Sequence, residues 1–361
     1  MVKTIEVPIQ NNPIRQRHFC TVFDNAYLIH KDNCNPPSAY LEVYHNNKQV
    51  IAGLDWGVQS IGNRNAIYNN IEKTPNHDIE INDEIFLFHD DAGGNYIHFF
   101  FNHLSRLIYF EELRKINPNL KLGIISDYYN NVGGKWSFIK EWLDLYYENK
   151  NIEIIIFEKD KTYLIKQLTI SNCFYGFPEV QGYDPMINMI KKVVDRIQPI
   201  EVKSNGCYIS RQDTIKLGWY HKREMENELE LIDKIKSELD YDIIEMMNYT
   251  IKEKIQLSKS YKNIIQQSSA SNINILFSNP GTNNIILSNP KMGPWLNQKC
   301  NDFAARSGST LLMINDIGEL IIDPNEPPLQ DQNNYPWRIT DIDGVMDILK
   351  GIDDGSIWES Q

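Results

Sequence analysis

Three linked signals run through the stretch from Tyr208 to Ser278. It opens on YISRQDT (208–214), an apolar run ending in a charged turn, and passes through HKREMENELELIDKI (221–235), a polar lead-in to a helical pattern. It closes on KNIIQQSSASNINILF (262–277), where a strand-like run meets a small-residue turn and another helix start. Short apolar strands, each followed by a helix whose free N–H groups face the strand's carboxyl end, are what a nucleoside-diphosphate site in an α/β domain requires.

Outward from this stretch the alternation continues. YDIIEM reads as a strand, TIKEKIQLSKSY as a helix, NNIILSN as a strand, WLNQKCNDFAARSG as a helix and TLLMIND as a strand. ITDIDGVMDILKGI reads as a terminal helix capped by Thr340 or Asp341. Upstream, DEIFLFHDD, KLGIISD and IEIIIFEKD are compact apolar runs separated by the helical patterns NYIHFFFNHLSRLIYFEELRK and SFIKEWLDLYY, as in parallel βαβ units. Residues 1 to 80 are weakly patterned and predict a few strands in a cap or leading layer. The expected fold class is α/β with two Rossmann-like domains, an N-terminal one over 1–185 and a C-terminal one over 200–330. The helix over 338–352 is expected to be able to pack back on the first.

The chain has 361 residues, 42% hydrophobic and 23% charged, enough for a sizeable core and better divided into two domains than one. A formal net charge of -12 would repel a polyanion, so nucleic acid is not an expected partner. Five scattered cysteines show no C-x-x-C spacing, which fits a reducing cytoplasm and predicts no zinc site. No apolar run approaches the roughly 20 residues of a membrane helix, and no signal peptide is read at the N-terminus.

Arg211 falls at the carboxyl end of its strand, with Lys216 and Arg223 in the loop that follows. A guanidinium suits phosphate because its planar fork makes two charge-assisted hydrogen bonds at once; a solvated basic loop paired with nearby acids explains the same residues equally well. Asn227 or Glu226 is placed to cap the next helix. Ser268, Ser269 and Ser271, with Asn272 and Asn274, let a turn approach a ligand closely or form an ordinary N-cap cluster. In the first half, His89, Asp90 and Asp91 end a strand, and Asn95, His98 and Asn102 share one face of a regular helix. A carboxylate or imidazole there is placed to take a proton; capping by Asp90 or Asp91, with His98 in an aromatic layer, is the alternative. Asp341-Ile342-Asp343 has the Asp-x-Asp form of a metal–nucleotide site but precedes a terminal helix, so capping is the better account.

Together these segments resemble glycosyltransferase family 61, the group containing capsular polysaccharide biosynthesis proteins. The likeness rests on Asn95-Tyr96-Ile97-His98-Phe99, Leu104-Ser105-Arg106-Leu107, Ile209-Ser210-Arg211, the R-x-x-x-N-E run from Arg223 to Glu228, the helix from Glu253 to Leu257, and the turn from Gln266 to Asn274. It spans about 180 residues, counted from Asn95 to Asn274. Lys254 stands where the family often has Gln, and Ser268-Ser269 replace its His-Gly. The resemblance implies a B-type two-domain fold, an inverting mechanism, no cofactor and no metal. It also implies a nucleotide-sugar donor, expected to be UDP-linked, and a glycan acceptor, with peripheral association to glycan-assembly machinery. On that footing Arg211, Lys216 and Arg223 are expected to stabilise the departing diphosphate, and Glu228 or Glu245 to bind ribose hydroxyls. Asn227, Ser268, Ser269, Asn272 and Asn274 complete the donor side, and Asn95 and Arg106 lie on the acceptor side. The base is expected at Asp90 or Asp91, with His89 and His98 as competitors. The departure at Ser268-Ser269 keeps a second reading open, a catalytically silent binding protein of a glycan-assembly complex.

Overall fold

The structure, a computed structural model, describes residues 1–6, 19–31, 40–50, 68–89, 95–130, 137–148, 150–171, 184–213, 224–288, 294–321 and 336–358. Contacts divide the chain into two compact units, Met1–Lys192 and Val193–Gln361. Among the described residues no helix is long and apolar enough to cross a membrane.

The first unit is built on one mixed, nine-stranded sheet. Its strands are β1 (Val2–Glu6), β2 (Phe19–Lys31), β3 (Tyr40–His45), β4 (Lys48–Val50), β5 (Tyr68–Glu72), β6 (Ile79–Leu87), β7 (Lys121–Ile125), β8 (Ile154–Phe157) and β9 (Lys161–Ser171). They lie in the order β5-β4-β3-β2-β9-β6-β7-β8, with β1 also paired to β2. The parallel part, β9-β6-β7-β8, contains the three strands read from the apolar runs. The N-terminal strands are not a separate layer. They join the same sheet because β2 pairs antiparallel with β9 from Cys20↔Ser171 to His30↔Lys161. The sequence reading gives no strand at β9, since exposed Lys166 and half-buried Gln167 interrupt the apolar run that marks a strand covered on both faces.

The second unit holds a five-stranded sheet in which every pairing is parallel. Its strands are β10 (Gly206–Ser210), β11 (Asp242–Glu245), β12 (Asn263–Gln267), β13 (Asn283–Leu287) and β14 (Thr310–Ile314), with β15 (Gly318–Leu320) and β16 (Trp337–Ile339) as a separate antiparallel pair. All five residues of β10 are buried because both faces of the sheet are covered. Tyr208, Ile265, Ile285 and Leu287 meet the helices Glu228–Leu239 and Ile342–Asp353 on one side; Cys207, Ile209 and Ile264 meet Leu257 of the helix Ile251–Ser260 on the other. The terminal helix, considered above as an element able to return to the first half, thus lies in the core of the second.

That helix is fastened by one carboxylate. Asp353 Oδ1 accepts from Asn205 Nδ2 at 2.7 Å, Tyr241 OH at 2.6 Å and Asn263 Nδ2 at 3.0 Å, all at the amino ends of the strands. Gly206 makes room for this cluster, because a Cβ there would run into the Tyr241 ring. Asn263 is fully buried and its Nδ2 also donates to Tyr241 OH at 2.6 Å, so losing Asp353 strands one of its two amide N–H groups together with the Tyr241 hydroxyl. Asp353→Ala is expected to lower unfolding stability by about 1–3 kcal/mol, read as a lower urea midpoint at unchanged slope; an unchanged midpoint would remove Asp353 as a fastening.

Candidate functional site

Numbered along the chain, the five strands of the second unit stand in the order 2-1-3-4-5. The chain leaves β10 toward one edge of the sheet and β12 toward the other, so the connections diverge. Where they do lies a topological switch point at the carboxyl ends of the two strands, the place where open α/β sheets take ligands in a crevice. Its two lips are Ser210-Arg211-Gln212-Asp213 and Gln267-Ser268-Ser269. Glu245 ends β11 on the far side of β10, opposite Ser210.

Beneath the crevice sits Glu228, fully buried at the start of its helix. Its Oε1 accepts from Tyr208 OH at 3.0 Å, the Arg211 backbone N–H at 3.0 Å and Gln267 Nε2 at 2.8 Å; its Oε2 accepts from Gln212 Nε2 at 2.7 Å. Four neutral donors, three from the two lips and Tyr208 from within β10, therefore converge on one carboxylate. Burial first, and the Glu228 charge second, push the Tyr208 phenol well above its ordinary pKa, while the Arg211 charge acts in the opposite direction. The second lip is ordered by its own side chains. Ser268 N–H donates to the Leu287 carbonyl at 3.1 Å. Ser269 and Asn272 form a reciprocal capping box at the start of the 3₁₀ helix Ala270–Phe277, with Ser269 N–H to Asn272 Oδ1 at 2.7 Å and Ser271 N–H to Ser269 Oγ at 3.2 Å. Asn274 is buried within that helix.

Asn227 stands at the N-cap position but makes no side-chain cap bond. It mimics a strand instead: its Nδ2 donates to the Ile339 carbonyl at 2.9 Å and its Oδ1 accepts the Ile339 N–H at 3.0 Å. Capping by Asn227 is thus replaced by a tie to β16. Lys216 and Arg223 lie outside the described residues. The fold brings together Arg211, Glu228, Ser268, Ser269 and Asn272 around the two lips; Glu245 is one strand away.

In the first unit, His89 follows β6 and is buried against Tyr128, ring centroids 5.9 Å apart and nearly parallel. His103, also buried, stacks on Phe88 at 3.9 Å and approaches Tyr128 at 5.4 Å. A π-helical turn over Phe99–His103 brings it there, with Leu104 N–H donating to the Phe99 carbonyl at 2.7 Å. That turn interrupts the regular helix on which Asn95, His98 and Asn102 were to share a face, and π turns of this kind are frequent at functional sites. Asn95 is an N-cap, its Oδ1 accepting from the Ile97 N–H at 3.2 Å. His98 is half-buried. Arg106 is 1% exposed and donates through Nη1 to the Ser171 carbonyl at 3.1 Å, tying its helix to the end of β9. Asp90 and Asp91 lie outside the described residues. His103 and Tyr128 are absent from the sequence reading; Tyr128 was discoverable from its place just beyond the strand KLGII, His103 only with the π turn in hand.

A family model described as glycosyltransferase 61 matches residues 96–285, just over half of the chain and continuous through both lips of the crevice. No curated protein matches the chain.

Because Asn227 holds both backbone groups of Ile339, Asn227→Ala is expected to reduce stability by about 1–3 kcal/mol. Urea unfolding measures it; wild-type stability would show that the tie to β16 is dispensable.

Proposed function

The chain belongs to glycosyltransferase family 61 and is a glycosyltransferase, and from that premise we propose that it transfers a sugar, with inversion and without a metal, from a UDP-linked donor to a glycan or polysaccharide hydroxyl. The observation that supports this most is the topological switch point between β10 and β12, with Arg211 just past the carboxyl end of β10. In this reading the second unit takes the donor and the first the acceptor, the division of labour of a B-type glycosyltransferase fold. The enzyme works in the cytoplasm on capsule-type polysaccharide, in peripheral association with the assembly machinery.

The chemistry is a single displacement. A bond forms between the acceptor oxygen and the anomeric carbon as the bond from that carbon to the diphosphate oxygen breaks, and the leaving group departs with the electron pair. Arg211, Arg223 and Lys216 meet the charge that develops on it; one preorganised donor of this kind is worth about 3 kcal/mol of barrier. The acceptor proton passes to a base, Asp90 or Asp91 in first place, with His89 and His98 as competitors. The position of His89 just beyond β6 supports that neighbourhood. Ser268, Ser269, Asn272 and Asn274 shape the donor turn, Glu245 stands across β10 from it, Glu228 holds Gln267 at its base, and Asn227 ties the start of the Glu228 helix to β16.

One observation favours the second reading, a silent binding protein of a glycan-assembly complex: in the turn that carries His-Gly in the family, Ser269 is engaged in capping and Ser268 is bonded to the Leu287 carbonyl. Incubation with a panel of nucleotide sugars and acceptors decides between the two, since a binding protein releases no nucleoside diphosphate. For the enzyme, Arg211→Ala is expected to lower kcat by about 10²–10³-fold, and wild-type turnover would remove Arg211 from the site. Asp91→Asn is expected to abolish transfer with donor binding intact, whereas full activity in both Asp90→Asn and Asp91→Asn would exclude those carboxylates as the base.

A further inference from the structure

We propose that Glu228 is a positioning residue, resting on the donor site assigned above: its buried carboxylate fixes the direction in which Arg211 leaves β10 and so sets the grip on the donor's diphosphate without touching the nucleoside. Three observations carry this. The carboxylate bonds the Arg211 backbone N–H itself, so the peptide from which the guanidinium departs is held directly. The same oxygen also bonds Tyr208 and Gln267, one from each strand of the crevice, so the spacing of the lips depends on the same group. Its other oxygen holds Gln212, the residue after Arg211.

The donors on Glu228 are all neutral, so the carboxylate's charge is not cancelled by any of them. The Arg211 charge is close enough to act on the same Tyr208 hydroxyl that Glu228 acts on. A buried negative charge at the base of the Arg211 peptide favours a guanidinium held on the same side of the sheet, and such preorganisation lowers the ordering cost of binding. A carboxylate at 0% exposure, with protein donors on both oxygens, has little left to offer a ribose.

Truncation to alanine would strand four donors, so the informative variant is Glu228→Gln. Its amide oxygen still serves Tyr208, Arg211 and Gln267, and Gln212 can turn its own oxygen toward the new NH₂. The full chain is titrated calorimetrically with UDP, GDP, ADP and dTDP, and with the nucleoside of whichever diphosphate binds, after melting curves verify the fold. The expected result is a diphosphate affinity about tenfold weaker in Glu228→Gln, within the coupling range of contacting residues, at unchanged nucleoside affinity. Equal losses for both ligands would overturn the inference in favour of a direct ribose contact, and unchanged diphosphate affinity would overturn it outright. Wild-type protein that binds none of the diphosphates would sink the donor-site reading itself and this inference with it.

Discussion

A carboxylate removed from water must be met by donors before the structure around it can close, because an uncompensated buried charge costs several kcal/mol. The second unit places two donor-gathering acids at opposite ends of one sheet, Glu228 fully buried and Asp353 half-buried. Glu228 gathers donors at the carboxyl ends of β10 and β12, and Asp353 gathers them at the amino ends. Both come from helices on the same face, Glu228–Leu239 and Ile342–Asp353, which pack on each other. Surface pairs such as Lys234–Asp343 and Lys350–Glu238 also link those helices, but exposed ion pairs contribute little. Glu228 and Asp353 instead tie those helices to the two ends of the sheet.

Much of this unit was legible in the sequence because its strands are covered on both faces and its helices are amphipathic. The runs YDIIEM, KNIIQQSS, NNIILSN and TLLMIND contain β11 to β14, CYISRQD covers β10 but for Gly206, and the terminal helix is capped by Asp341, whose Oδ1 accepts from the Gly344 N–H at 2.9 Å. Position in a strand is a local property, and local patterning reports it. The destination of a polar side chain is not. Asn227 has the composition of a cap yet serves Ile339, 112 positions away in the chain, and no spacing rule sees such a partner.

The first unit was harder to read for related reasons. β9 sits between β2 and β6 and is the strand that makes one sheet of the whole unit, yet its polar residues hide it. The helix begun at Tyr96 was legible, but not its π turn, because aromatic residues at Phe99, Phe100 and Phe101 satisfy several helical frames equally. Only packing selects among them. Phe99 and Phe100 are fully buried against Phe138 and Trp142, and that burial sets the frame that delivers His103 beside Phe88.

The replacement of His-Gly by Ser268-Ser269 makes sense beside Glu228. A glycine turn can bring bare backbone to a ligand, whereas the serine turn closes on itself: Ser268 holds the exit of β13 and Ser269 exchanges bonds with Asn272. The β12 lip thereby becomes rigid and loses a side-chain donor. On the proposed reading, the task of meeting the diphosphate's charge rests on the β10 lip and the loop after it, where Arg211 of the segment shared with the family stands without an imidazole opposite it. A guanidinium stays cationic at any physiological pH but moves on a long stem, so it gains more than an imidazole from being held. The bond from the Arg211 N–H to Glu228, and the further tie from Glu228 to Gln267 on the rigid lip, supply that restraint. The serine turn on β12 thus serves, through Gln267 and Glu228, as an anchor for the arginine on β10.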